Sequence, residues 1–171
     1  MNKFLFGSKA TTLERLYARL NLGKLCPQLI VEKRIWDESA SSIVDRIRKS
    51  FFGEHLAIRS SAFGEDSEKE SFAGAYTSIL NVEPDPDRIE TGINTVFKSY
   101  ESTDQRHQVL VQPMVKGVAI SGVVLTRDLD TGSPYYVINY EAGSGRTDIV
   151  TSGKDSKTML LHRARPYRLK S

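Results

Sequence analysis

The sequence predicts an α+β fold, with helices early in the chain and mostly antiparallel strands later. Two patterns carry that expectation. Apolar residues recur at helical spacing in three segments of the first hundred residues. Beyond them the chain turns β-rich, and Asp128-Leu129-Asp130-Thr131-Gly132 supplies hairpin turn chemistry between two apolar runs. Helices followed by strands, with no regular βαβ alternation, read as α+β.

Taken in order, Leu13, Leu16, Tyr17 and Leu20 mark a first helix over residues 11–22. Thr11 and Glu14 form a capping-box pattern at its start, and Gly23 is a stop signal. Leu29-Ile30-Val31 follows Pro27 as a buried strand. Ile43, Val44, Ile47 and Phe51 mark a second helix that closes near Gly53. His55–Arg59 reads as a strand, and a small, polar stretch runs from Ser60 to Ala75. Thr77–Val82 is another strand, and Pro84-Asp85-Pro86-Asp87 a turn. Ile89, Ile93, Val96, Phe97 and Tyr100 give a third amphipathic helix, with Asp87 and Glu90 as its start signal. Val109–Met114, Ser121–Thr126, Tyr135–Glu141, Thr147–Thr151 and Thr158–His162 read as strands. Trp36, Phe51 and Phe52 are expected in the core. The expected division is 1–105 and 106–171, two parts of one domain.

Composition narrows the class. With 171 residues the chain can bury one sizeable core or two small lobes. No apolar run approaches the roughly 20 residues that cross a bilayer, so no membrane partner is expected. The lone Cys26 excludes an internal disulfide and suits a reducing, cytoplasmic setting. The net charge of +3 gathers toward the basic tail at His162–Lys170, without the aromatic platform of a nucleic-acid module. No nucleic-acid partner is therefore expected. His55, His107 and His162 stand in contexts that suit structural roles, and no Cys/His spacing suggests zinc.

The stretch from Arg59 to Gly74 is the most unusual. A strand ends in an arginine, and hydroxyls, Glu65, Asp66 and then Ser71-Phe72-Ala73-Gly74 follow. A guanidinium gives a forked permanent cation, and a glycine lets backbone N–H groups approach phosphate oxygens. On composition alone it reads either as such a loop or as a Ser/Gly-rich surface turn. Glu65 and Asp66 can assist metal or phosphate contacts, or can cap a helix or face solvent.

Arg59-Ser60-Ser61-Ala62, Glu65-Asp66, Ser71-Phe72-Ala73-Gly74 and Leu80-Asn81-Val82 together resemble the nucleotide-binding domain of pyruvate phosphate dikinase and phosphoenolpyruvate synthase. Gly7-Ser8-Lys9-Ala10 resembles that family's Gly-Gly-Lys motif. Val111-Gln112-Pro113-Met114-Val115 resembles its Val-Gln-x-Met-Val strand, and Ser121-Gly122-Val123-Val124-Leu125-Thr126 its Ser-Gly-Val hairpin. The pieces fall in the family's order across residues 4–153. The resemblance implies an ATP-grasp-like domain holding ATP between two lobes. It implies that Lys9 and Arg59 contact phosphates, and that Gly74 lies in a phosphate loop with Ala75 and Ser78 near it. Gln112, Met114 and Val115 would flank adenine, and Glu141 would lie where the family turns toward its Gly-Leu-Gly-Glu loop. In the family ATP phosphorylates a carrier histidine on a separate domain, and a further domain delivers the phosphate to an acceptor.

The chain also departs from the pattern. Ala75-Tyr76-Thr77-Ser78 replaces a more polar run, and Ala142-Gly143-Ser144-Gly145-Arg146 replaces the Gly-Leu-Gly-Glu loop. The family's Mg²⁺ ligands come from a later segment, and nothing after residue 153 resembles it. The chain therefore reads as part of an ATP-dependent phosphotransferase, without metal ligands or a catalytic residue of its own, inactive alone and weak in ATP binding. The alternative is a non-catalytic structural or regulatory nucleotide-binding module.

Overall fold

The computed structural model describes residues 4–63, 76–100, 102–143, 150 and 156–163. The elements are α1 (Lys9–Tyr17), β1 (Leu29–Glu32), α2 (Lys33–Ser50), β2 (Leu56–Ser61), β3 (Ile79–Val82), α3 (Pro86–Lys98), β4 (Gln108–Pro113), β5 (Ile120–Leu125), β6 (Tyr135–Ala142) and β7 (Lys157–His162). Helices and antiparallel sheets together make the expected α+β class. Contacts divide the chain into two compact units, Met1–Met114 and Val115–Ser171.

The first unit holds a four-stranded sheet in the order β1-β4-β2-β3, antiparallel at every pairing. Period-two alternation gives it two faces. Leu56 and Ile58 of β2, and Val109 and Val111 of β4, turn to one face and join the core with Trp36, Val44 and Ile47 of α2 and Ile89, Ile93 and Val96 of α3. Burying each such side chain contributes about 1.5–3 kcal/mol. Ala57, Arg59 and Ser61 alternate onto the other face, where the amide of Ala10 at the start of α1 donates to Ser61 Oγ at 2.9 Å. The strand Gln108–Pro113 follows the expected line at 105/106, yet its partners are β1 and β2, so it belongs to the first unit's sheet.

The second unit holds a three-stranded antiparallel sheet, β5-β6-β7. Its β5–β6 turn is the Asp128–Gly132 segment. Asp128 accepts from the amides of Asp130 and Thr131 and from the Thr131 hydroxyl, and Gly132 takes φ +67°. Those hydrogen bonds, the Thr131 amide first, hold the Asp128 carboxyl below its usual range.

Several boundaries differ from the sequence reading. α1 starts at Lys9 because Ser8, not Thr11, is its N-cap, accepting from the Thr11 amide. It ends at Tyr17, well before Gly23. α2 begins at Lys33, ahead of its apolar stripe, and is broken at Ser39 (φ −154°). Its first turns gain two i,i+4 ion pairs, Lys33–Asp37 and Arg34–Glu38. Asp85 is the N-cap of α3 and Pro86 its first residue, so the expected turn there is the start of a helix. Trp36 and Phe51 are buried, but Phe52 is 89% exposed. The helix has ended by then, and Phe51 turns inward while its neighbour faces out. Of the expected strand Thr147–Thr151, only Val150 lies within the described residues, and it is not in a strand.

Candidate functional site

The far end of β2 brings together two of the groups that the sequence singled out, Lys9 and Arg59. Lys9 Nζ lies 3.4 Å from the Ser60 carbonyl oxygen, one residue beyond Arg59. Lys9 is brought there by the N-cap of α1. Ser8 Oγ is 2.6 Å from Gln108 Oε1 on β4, and Gln108 is the register partner of Ser61. The Ser61 amide donates to the Tyr100 hydroxyl (3.1 Å), which donates in turn to the Gln108 carbonyl (2.6 Å). α1, β2, β4 and the end of α3 are thus tied at one place. Arg59 shares the sheet face of Ser61. Its Nε is buried and has no hydrogen-bond partner among the described residues. A buried donor left unpaired costs about 1–3 kcal/mol, more when charged, so this N–H is suited to an anionic acceptor.

Of the residues expected beside adenine, Gln112 lies near the end of β4, while Met114 and Val115 follow it. The β4 ladder decides which backbone groups can read a base. The Met114 amide donates to the His55 carbonyl at 2.7 Å and is already engaged. Alternation along an antiparallel strand turns successive residues to opposite neighbours. The Lys33 amide meets the His107 carbonyl on the β1 side, so the Pro113 carbonyl is directed to that side as well, past the Leu29–Val111 pair. The Gln112 side-chain amide is 3.5 Å from Gln28 Oε1, and Gln28 reaches the Ala10 carbonyl.

The remaining expected residues are Ser78, Val115, Glu141, Gly74 and Ala75. Ser78 is exposed just before β3. Val115 and Glu141 belong to the second unit, where Glu141 pairs with Ser121 across β5–β6. Gly74 and Ala75 lie outside the described residues, as do Glu65, Asp66 and Ser71-Phe72-Ala73. A cavity of about 560 Å³ opens in the first unit beside α1 and β1, lined by Thr11, Tyr17, Cys26, Gln28, Ile30 and Gln108 among others. None of the expected site residues that lie within the described residues lines it. Among the described residues no three His, Cys, Asp or Glu cluster to hold a metal ion.

His107, expected to have a structural role, ties several segments together. It is buried. Its Nδ1 accepts from the Phe63 amide (3.1 Å), its Nε2 is 2.8 Å from Ser102 Oγ, and its ring lies 4.6 Å from that of Tyr100. Burial, with the Arg106 cation, pushes its pKa down, against the opposing pull of Asp104. The Asp104 carboxyl is itself lowered to about 2 by Arg106. The signal was invisible in sequence because Phe63 and His107 are 44 positions apart.

The second face of the first unit's sheet thus carries an arginine whose buried Nε has no partner among the described residues, one residue from the carbonyl that the Lys9 ammonium meets. The family model for the AMP/ATP-binding domain of pyruvate phosphate dikinase matches residues 9–165, and the chain belongs to that family. A search of curated proteins found no match. The family defines an ATP-binding domain of pyruvate phosphate dikinase-like enzymes.

Proposed function

We propose that the chain is the ATP-binding, phosphoryl-donating part of a phosphotransferase like pyruvate phosphate dikinase or phosphoenolpyruvate synthase, with an ATP-grasp-like arrangement. The observation that carries the reading is the Lys9 ammonium at the Ser60 carbonyl, next to an Arg59 whose buried Nε has no hydrogen-bond partner among the described residues. Two fixed cations at one strand end would offset the negative charge that spreads over phosphate oxygens during transfer. The Gly74–Ala75 segment and Ser78 would complete the phosphate side within residues 1–105. The strand at Gln112–Val115 and the β-rich segment with Glu141 would supply the adenine side within 106–171. Because the Met114 amide is engaged, the Pro113 carbonyl is the better candidate acceptor for the adenine amino group. Phosphate would pass to a carrier histidine and then to an acceptor, both on other domains, in the cytoplasm. Mg²⁺ would be held by residues outside those described.

Calorimetry with ATP tests the reading. The chain should bind ATP weakly, and Arg59→Ala and Lys9→Ala should each weaken binding about tenfold or more, the worth of a charge-assisted hydrogen bond. Trp36 fluorescence should stay native in both variants. Affinity unchanged in both would overturn the assignment. A complete absence of ATP binding by the native chain would refute the ATP-binding reading.

A further inference from the structure

The knot at the end of β2 contains a titratable group that the phosphate reading does not use. The His107 backbone is fixed on both sides, its amide donating to the Asp104 carbonyl (3.0 Å) and its carbonyl accepting from the Lys33 amide (2.8 Å). Its side chain is fixed by chemistry. The Phe63 amide is a donor, so the Nδ1 it meets must be unprotonated. The proton of the neutral ring then sits on Nε2 and is donated to Ser102 Oγ. Arg106 stacks over the Phe63 ring at 3.9 Å while paired with Asp104, so Phe63 is held by two neighbours in the same connection.

We propose that neutral His107 is a positioning residue for the phosphate-binding end of β2, and that protonating it weakens nucleotide binding. An imidazolium would point an N–H at the N–H of Phe63, and two donors cannot share that contact. Phe63 lies two residues beyond Ser61, whose amide and hydroxyl tie β2 to Tyr100 and α1, and three beyond Ser60, where Lys9 docks. Displacing Phe63 therefore moves the strand end that presents Arg59. Among the described residues, the charged and titratable groups about the ring are Asp104 and Arg106 in its own connection and Tyr100 from the end of α3. At the β1–α2 junction, Lys33 has its ammonium paired with Asp37. Asp104 and Arg106 act on the ring in opposite senses, and burial, the largest influence among the described residues, favours the neutral form.

The inference deepens the nucleotide-binding reading, and its ATP arm rests on it. Two measurements on the full chain separate their failures. Nitrogen-15 NMR should find the Nε2–H tautomer of His107 at about pH 8, and the Phe63 amide resonance should shift as the ring titrates below its ordinary value near 6.5. The Nδ1–H tautomer, or a Phe63 amide indifferent to that titration, would sink the proposal whether or not ATP binds. Calorimetry then compares the native chain with His107→Asn, whose Oδ1 can accept from Phe63 but cannot titrate. Their affinity ratio is read, so that the nucleotide's own phosphate titration cancels. The ratio should be near one at about pH 8 and should fall about tenfold by about pH 5. His107→Leu should bind weakly at both values. A ratio constant with pH, or His107→Leu binding as well as the native chain, overturns the proposal. If His107→Leu fails to fold, His107→Asn and the NMR arm still decide. No binding by any variant refutes the nucleotide reading and leaves the NMR result to judge His107.

Discussion

A Cβ built on Gly122 would stand 2.8 Å from the Asn139 carbonyl oxygen and 3.2 Å from Tyr140 Cβ, across the β5–β6 pair. At Gly92 the nearest atom, at 2.6 Å, is the tip of the Ile58 side chain, Cδ1. The shorter distance is the cheaper clash. A terminal methyl can change rotamer, and alanine also regains about 1 kcal/mol of helix propensity at an α3 position. A backbone oxygen inside a ladder cannot move without opening the strands. Gly122→Ala should therefore cost about 1–3 kcal/mol, the range of an overpacked site, and Gly92→Ala distinctly less. Urea denaturation of both variants checks the order, and equal costs would show that β5 and β6 can separate freely. Gly122 stands in the Ser-Gly-Val motif, so the letter was noticed in sequence, while its reason lies in a strand 17 residues away. Lys9 and Arg59 were legible in the same way, as cations in a family pattern. The buried Arg59 Nε, without a partner among the described residues, was not, because burial depends on what packs around the guanidinium.

Among the elements, α3 was the most legible and α2 the least. Ile89, Ile93, Val96, Phe97 and Tyr100 were read as one apolar face, and all five are buried. The start of α3 was misjudged, since Pro84 and Pro86 read as a turn. Asp85 instead accepts from the amides of Asp87 and Arg88, and proline suits the first helical turn, where its missing N–H has no partner to lose. Asp85→Ala should destabilise the first unit by about 1 kcal/mol, and Asp85→Ser much less, because serine retains the capping oxygen. Chemical denaturation followed by Trp36 fluorescence reads this directly, since Trp36 Nε1 donates to Asn94 of α3. Equal stability of native chain and Asp85→Ala would mean that the cap is replaced by water. The front of α2 escaped the sequence because Ser39-Ala40-Ser41-Ser42 interrupts its apolar repeat, and the helix indeed breaks at Ser39. β4 was recognised as a strand, but not as the centre of the first sheet. Its partners at Leu29–Glu32 and Leu56–Ser61 are far away in sequence, and period-two alternation alone does not say which strand lies beside it.

On the scale of the molecule the two units are built on different terms. The first has a continuous core of α2, α3 and both central strands, with Ile47, Leu56, Ile58, Ile89, Ile93, Val109 and Val111 fully buried. Among the described residues of the second, Val150 is the only buried hydrophobic one, while Ile120, Val124, Met159 and Leu160 are 44–64% exposed. A small sheet owes its stability to an apolar face that something covers, since ladder hydrogen bonds alone contribute little net. Backbone amides open in proportion to local stability, so amides of β2 and β4 should exchange only by global unfolding, and those of β5–β7 at far lower cost. Hydrogen exchange read by mass spectrometry on the intact chain should show slow uptake in peptides covering residues 56–61 and 108–113 and fast uptake in 120–125 and 157–162. Adding ATP should slow exchange at 56–61 if Arg59 and Lys9 bind phosphate, because a ligand that binds only the folded state stabilises what it touches. Equal protection of both sheets without nucleotide would mean that the second unit is held as firmly as the first, and that its exposed apolar residues are not its weak point.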